Sequence, residues 1–371
     1  MRLGVAAAIV ESELVQGDVS VEDGCVAEVG LAGAGRGLAV PGFVDLQVNG
    51  FAGVDFAAAD AAGYRRAVDA LLATGVLSFQ PTLITAAEDD LVAALAEVPP
   101  LPQILGVHLE GPFLAPTRLG AHPPELRRDP DPALLERLLA AGPVTHTTLA
   151  PELPGALELV DLLVAREITV ALGHSNATAE EAHRGFDRGA RTVTHLFNAM
   201  RPFGHRDPGI GGAALAREDV VVQAIVDGVH LADDTVRVVA RAASGRLALV
   251  TDAIAAAGIG DGRFQLGGVE VEVRDGVCRR ADGVLAGSVV TMPESIRRLH
   301  ELGVPLVEAV AAATSAPARI ARRPDLGVLR PGGPADLVVL DDALEVERVL
   351  VGGREPEARK EAAWRRSVSR A

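Results

Sequence analysis

Residues 168–200 read ITVALGHSNATAEEAHRGFDRGARTVTHLFNAM. The stretch opens on an apolar run, ITVAL, that stops at Gly-His-Ser. Thr178 and Glu181 then form the capping-box pattern that opens a helix. A second apolar run follows Arg191 and stops at His195. Strand, helix and strand in that order, each strand closing on a polar residue, is the unit of a parallel sheet with crossover helices.

The rhythm extends in both directions. Strand candidates are LAVPGFVDLQV, VLSFQPTL, ILGVHLEGP, VTHTTLAP, ITVALGHS, RTVTHLFNAM, VVVQAIVDGVH and RLALVTDAI. Helical patterns lie between them; AAGYRRAVDALLATG ends on a glycine, as C-capped helices do. Eight such units predict an α/β fold, a (β/α)8 TIM barrel, over residues 41–324. Residues 261–286 alternate like a β-hairpin inserted after the eighth strand, and VEAVAAATSAPARIA reads as one late helix. Residues 1–40 are short alternating runs broken by glycine, and 325–355 return to that pattern. The two ends are expected to pair into a small β-sandwich domain, leaving 356–371 as a charged C-terminal tail.

Composition removes several functions. A net charge of −15 argues against a nucleic-acid partner, whose phosphates need a basic face. No apolar run reaches membrane-spanning length, and the N-terminus lacks a signal-peptide cleavage site. Cys25 and Cys278 fit no chelating or redox spacing, which suits a reduced, cytoplasmic setting. Lys360, in the tail, is the sole lysine. A Schiff-base lysine, a P-loop and a carboxylated lysine bridging two metals are therefore excluded from the core.

Barrel active sites lie at the C-terminal ends of the strands. Those ends carry Glu110, His174, His195, His230 and Asp252. A carboxylate and two imidazoles on neighbouring strand ends match a catalytic zinc site, three ligands and an open position, with Glu110, His174 and His195 as the ligands. Asp252 closes the apolar run ALVTDA, where a buried carboxylate beside a metal-bound water is a general base. His108 shares a strand face with Glu110 and is expected to support it from behind; His146, His183 and His300 read as structural or solvated. Gln47 and Asn49, in GFVDLQVNG, share one face of the first strand at the spacing of a His-x-His chelate, without the imidazoles.

Taken in order, GVHLEGPFL, LGHSNAT, THLFNAM, VDGVH, VTDA and LAGS resemble the N-acetylglucosamine-6-phosphate deacetylases of the amidohydrolase superfamily. The resemblance implies hydrolysis of the acetamido group of N-acetyl-D-glucosamine 6-phosphate, in amino-sugar catabolism or cell-wall recycling, by a homodimer that takes a small-molecule sugar phosphate. It implies Glu110, His174 and His195 as metal ligands, Asp252 as general base and acid, and His230 as a contact near the amide. Substrate contacts carried over are Asn198 and Ala199, His122 and Arg206 toward the phosphate, and the closing stretch Ala286, Gly287 and Ser288. Family members with Gln-x-Asn at the first strand keep one metal, so Gln47 and Asn49 mark a vestigial first-strand metal position. One divalent ion per chain is expected, Zn2+ first, with Fe2+ or another divalent ion as alternatives.

Two rival readings remain at this point. A cyclic amidase or deaminase shares the barrel, but GHSNAT and FNAM favour an amino-sugar phosphate. A non-catalytic sugar-phosphate sensor would bind without turnover.

Overall fold

The structure, a computed structural model, describes residues 1–356. The expected tail, apart from its first residue, lies outside the described residues, and Lys360 with it. Eight parallel strands form one sheet in chain order. They are β1 (Phe43–Val48), β2 (Val76–Ile84), β3 (Val107–Glu110), β4 (Val144–Leu149), β5 (Thr169–Leu172), β6 (Thr192–Val193), β7 (Val221–Ala224) and β8 (Leu247–Leu249). A helix follows each strand before the next, from Ala61–Ala73 after β1 to Met292–Glu301 after β8. The sheet closes on itself just past the end of β8. Val48 bridges Ala253 in parallel, the Asp252 N–H donates to the Gln47 carbonyl (2.9 Å), and the Asn49 N–H to the Ala253 carbonyl (2.7 Å). This is the barrel that the strand pattern predicts.

A second, five-stranded sheet draws on both chain ends, with Ala7–Val10 and Leu38–Pro41 beside Leu337–Leu340 and Val346–Leu350. The two-stranded ribbon Asp18–Glu22/Cys25–Leu31 packs on it through Val19, Val21 and Val26, against Ala8, Ala39, Leu337 and Leu350.

Three local expectations change. LAVPGFVDLQV is not one strand: Leu38–Pro41 pairs in the terminal sheet and β1 in the barrel. The chain switches sheets at Gly42, where a side chain would meet Leu77 at 2.4 Å. The insertion after β8 is a three-stranded meander, Gly262–Leu266, Val269–Arg274 and Val277–Arg280, rather than a hairpin. Its second turn is Asp275-Gly276, both at positive φ, the dipeptide that tight hairpins favour. The late helix is two, Leu306–Ala312 and Ser315–Ile320. Pro317 has no N–H to continue a ladder, and the Ala313 carbonyl is instead taken by the Val44 N–H of β1 (2.9 Å).

Candidate metal centre and active site

Alternation along β3 turns His108 and Glu110 into the barrel and Val107 and Leu109 toward the helices. Glu110, the last residue of β3, meets two imidazoles that lie just past β5 and β6. Its Oε1 is 2.9 Å from His195 Nε2 and 3.1 Å from His174 Nε2, and the two Nε2 atoms are 3.1 Å apart. His174 Nδ1 donates to the Arg118 carbonyl (2.9 Å), so its Nε2 presents a lone pair to Glu110. A lone pair facing a carboxylate oxygen with no hydrogen between them calls for a cation or a shared proton. Two nitrogens and one oxygen at this spacing suit a divalent first-row ion with an open position. Burial pushes His174 down to about 4. For His195, burial works the same way but the Glu110 carboxylate outweighs it and the group is raised. Burial opposes the Glu110 charge, yet the surrounding imidazoles of His122, His174 and His195 hold its carboxyl well below the usual carboxylate range.

His122, carried over as a phosphate contact, is buried against this cluster. Its Nε2 lies 3.6 Å from Glu110 Oε2. The Thr85 backbone N–H donates to its Nδ1 (3.2 Å), so Nε2 carries the ring hydrogen. Glu110, His122 and His174 are close enough to share an ion, but a ring whose lone pair is already engaged is better suited to donating than to ligating.

The first-strand amides turn toward the two carboxylates. Gln47 Nε2 donates to Glu110 Oε1 (3.1 Å), and Asn49 Nδ2 donates to Asp252 Oδ1 (2.7 Å). Burial, with the Glu110 charge adding to it, raises the Asp252 carboxyl to about 6; His195, His230 and the Asn49 bond oppose the rise. His230 Nδ1 donates to Asp227 Oδ2 (2.7 Å), and Asp227 also accepts the Val229 and His230 N–H groups. Burial works against the Asp227 charge, but those bonds win and its carboxyl is lowered.

Glu110, His122, His174, His195, His230 and Asp252 line a cavity of about 210 Å³ together with Asn49, Asn198, Ala199 and Gly287. Its apolar wall comes from Ile84 and Ile225 of the barrel and from Leu266, Val284 and Leu285 of the inserted meander. His174, His195, Ala199 and Asp252 all adopt left-handed backbone, with φ of 47°, 28°, 49° and 50°. Non-glycine residues in that region cost on the order of 1–3 kcal/mol each and collect at functional sites.

Other expected contacts fall elsewhere. Arg206 is exposed and does not line the cavity. Asn198 does line the cavity, with its N–H turned to the His195 carbonyl and its Nδ2 to the His195 and Leu196 carbonyls. In the closing stretch only Gly287 reaches the cavity. A Cβ there would lie 2.8 Å from the Asp252 carbonyl, so the approach needs glycine. Ala286 packs in an apolar cluster, and Ser288 Oγ donates to the Thr251 carbonyl (2.5 Å). His108 binds Thr82 Oγ1 and Thr148 Oγ1 rather than Glu110. Sequence reasoning missed Asp45, fully buried two residues before Gln47. The signal was a carboxylate inside an apolar strand.

Comparison with known proteins gives a consistent picture. The amidohydrolase family model matches residues 38–355. A human N-acetylglucosamine-6-phosphate deacetylase is 40% identical over 341 residues, covering 86% of this chain and 83% of that protein. An Escherichia coli O157:H7 N-acetylgalactosamine-6-phosphate deacetylase is 37% identical over 335 residues, 85% of this chain and 87% of that one. Among solved structures, a variant of N-acetyl-D-glucosamine-6-phosphate deacetylase from Mycobacterium smegmatis, in complex with N-acetyl-D-glucosamine-6-phosphate, superposes with a TM-score of 0.91. It has 38% identity and covers 96% of this chain and 98% of that one.

Proposed function

This chain belongs to the amidohydrolase family, and we propose that it hydrolyses the acetamido group of N-acetyl-D-glucosamine 6-phosphate to D-glucosamine 6-phosphate and acetate, a step of amino-sugar catabolism or cell-wall recycling. The observation that carries the reading is the convergence of Glu110, His174 and His195 on one point, with Asp252 in the same cavity.

Glu110, His174 and His195 would hold one divalent ion, Zn2+ first and Fe2+ or another divalent ion as alternatives. When bound, such an ion supplies a Lewis acid that lowers the pKa of water and polarises the acyl oxygen. Gln47 and Asn49, neutral amides already donating to carboxylates, leave the first-strand position without a second ion. Asp252 acts as the base. Its Oδ1 is engaged by Asn49, so Oδ2 takes the proton of the attacking water and returns it to the leaving nitrogen. Nucleophile and leaving group sit on the same carbon, so one carboxylate reaches both. His230, anchored through Nδ1 to Asp227, offers Nε2, which in the imidazolium form donates to the developing oxyanion. Ala199, Gly287 and the Nε2–H of His122 border the sugar. Arg206 is assigned to phosphate on its guanidinium chemistry, since it lies outside the cavity of the single chain.

The same reading takes residues 1–40 with 325–355 as a small β domain and 41–324 as the catalytic barrel, supported by an apolar cluster drawn from the two chain ends alone. It takes the protein as a cytoplasmic homodimer. Among the described residues no helix is long and apolar enough to cross a membrane, and the exposed Phe203 and Val238, beside the cavity mouth at His230, offer an apolar face to a second copy.

The test is acetate release by Zn2+-loaded protein from N-acetylglucosamine 6-phosphate, its galactosamine epimer and unphosphorylated N-acetylglucosamine. Release from the phosphorylated glucosamine sugar, with Arg206→Ala raising KM for phosphorylated sugars and not for the unphosphorylated one, is the expected result. Faster release from the epimer would change the substrate. No release from any of the three, with the ion bound, would end the deacetylase reading.

A further inference from the structure

Asp252 stands at the closing seam of the barrel, and the group that grips the seam beneath it is a second carboxylate. Asp45 is fully buried in β1, two residues before Gln47. Its Oδ2 accepts the Thr251 hydroxyl (2.6 Å), and its Oδ1 accepts the backbone N–H groups of Thr251 and Gln47 (both 3.3 Å). Every partner is a donor. The Thr251 hydroxyl oxygen accepts the Ala253 N–H (3.2 Å), which leaves its hydrogen for Asp45.

Thr251 immediately precedes Asp252, whose own backbone is strained at φ 50°. Non-glycine residues persist there only where the surroundings hold them. Asp252 is held on both sides of its peptide: its N–H donates to the Gln47 carbonyl (2.9 Å) and its carbonyl accepts the Ser288 N–H (2.9 Å). Asp45 fixes the residue before it from the opposite strand through two bonds, one to its N–H and one to its hydroxyl. The direction in which Asp252 offers its free oxygen follows from this turn.

We infer that Asp45 is a positioning residue for the hydrolysis. Its carboxylate clamps Thr251 across the seam between β1 and the end of β8, and so aims the free oxygen of Asp252 at the attacking water. The inference rests on the reading of Asp252 as the base.

The experiment uses full-length, ion-loaded protein carrying Asp45→Asn, Thr251→Val, Thr251→Ser, or Asp45→Asn with Thr251→Val. KM, kcat, metal content and Tm are measured for each. Thr251→Val keeps the shape and removes the hydroxyl; Thr251→Ser keeps the hydroxyl. A misaimed base predicts that Asp45→Asn and Thr251→Val each lower kcat by about 10- to 100-fold, with KM and metal content little changed. Thr251→Ser recovers most of the rate. Because the two groups form one contact, the double variant is no slower than the worse single one. A fall in Tm with kcat intact in both single variants would reduce Asp45 to a structural residue. Losses that multiply in the double variant would dissolve the clamp. Wild-type protein that releases no acetate would remove the base reading and this inference with it, whereas active wild-type with unchanged variants removes the inference alone.

Discussion

Two pairs of buried histidines lie inside one barrel and behave differently. His108 and His146, on β3 and β4, stack face to face, ring centroids 4.2 Å apart at 21°. His108 holds Thr82 Oγ1 (3.2 Å) and Thr148 Oγ1 (2.7 Å) on its two nitrogens, and His146 Nδ1 holds Gln80 Oε1 (3.0 Å). Burial lowers both, His108 to about 4 and His146 well below its ordinary value. His174 and His195 are as buried but meet edge to face, at 4.9 Å and 72°, with Nε2 atoms converging on a carboxylate. Residue type and burial are alike in the two pairs. What separates them is what the ring nitrogens face. The inner pair meets neutral hydroxyls and an amide, His146 donating Nδ1–H to Gln80 Oε1, while the rim pair turns Nε2 toward an anion, an arrangement that a cation completes.

The sharpest way to break that contrast is His195→Asn. The ion should be lost and turnover should fall by more than the roughly 10- to 100-fold typical of losing a group that merely supports a ligand. Metal analysis beside acetate release reads both, and a variant that keeps ion and rate would erase the distinction between the pairs. A smaller effect follows from the base. Asp252 works as the carboxylate, so activity is present above its pKa and lost as pH falls through it. Its carboxyl sits at about 6 without an ion, and a bound cation favours the charged form. The acid limb of kcat/KM therefore lies at or below about 6, and Asp252→Asn should lower kcat by about 10²- to 10⁴-fold while metal content persists. A limb well above 6 would assign it to another group.

The least effect on turnover is expected from His108→Leu. It removes one hydrogen bond from each of two buried hydroxyls, Thr82 keeping the Val48 N–H and Thr148 the Thr194 hydroxyl, a cost of about 1–3 kcal/mol in denaturant unfolding, with ion and rate retained per folded molecule. Its pH signature has a definite sign. The unfolded imidazole takes a proton near 6.5 and the folded one only near about 4, so folding stability falls as pH drops through that window. His108→Leu should make that fall shallower. Loss of the ion in this variant would mean that the inner pair supports the rim pair.

Position along the strands carried most of this to the sequence level. Glu110, His174, His195 and Asp252 are legible because each ends an apolar run, and a barrel sends all such ends to one rim. The helix after β5 is legible because its capping box is local, and Thr178 and Glu181 do bind each other's backbone N–H. What stayed hidden depends on distant partners or on irregular chain. The approach of His122 to Glu110 is set by a loop with no periodicity. Asp45 shows its face in sequence but not the threonine it grips, far along the chain. The switch of sheets at Gly42 left no mark in a continuous apolar run. Arg206 has the right chemistry for phosphate, and nothing in its neighbours' identity says that it points away from the cavity.

The seam has a consequence in time. Asp45 and Thr251 are 206 residues apart. At ribosomal rates of roughly 5–20 residues per second, the first waits roughly 10–40 s for the second to be made. The strands bearing Glu110, His174 and His195 all emerge in that interval, so a growing chain can assemble its ion-binding groups before it owns a base. A nascent chain at that stage lacks Asp252, the proposed base, and the seam that Asp45 grips forms only when the last strand is delivered to the first.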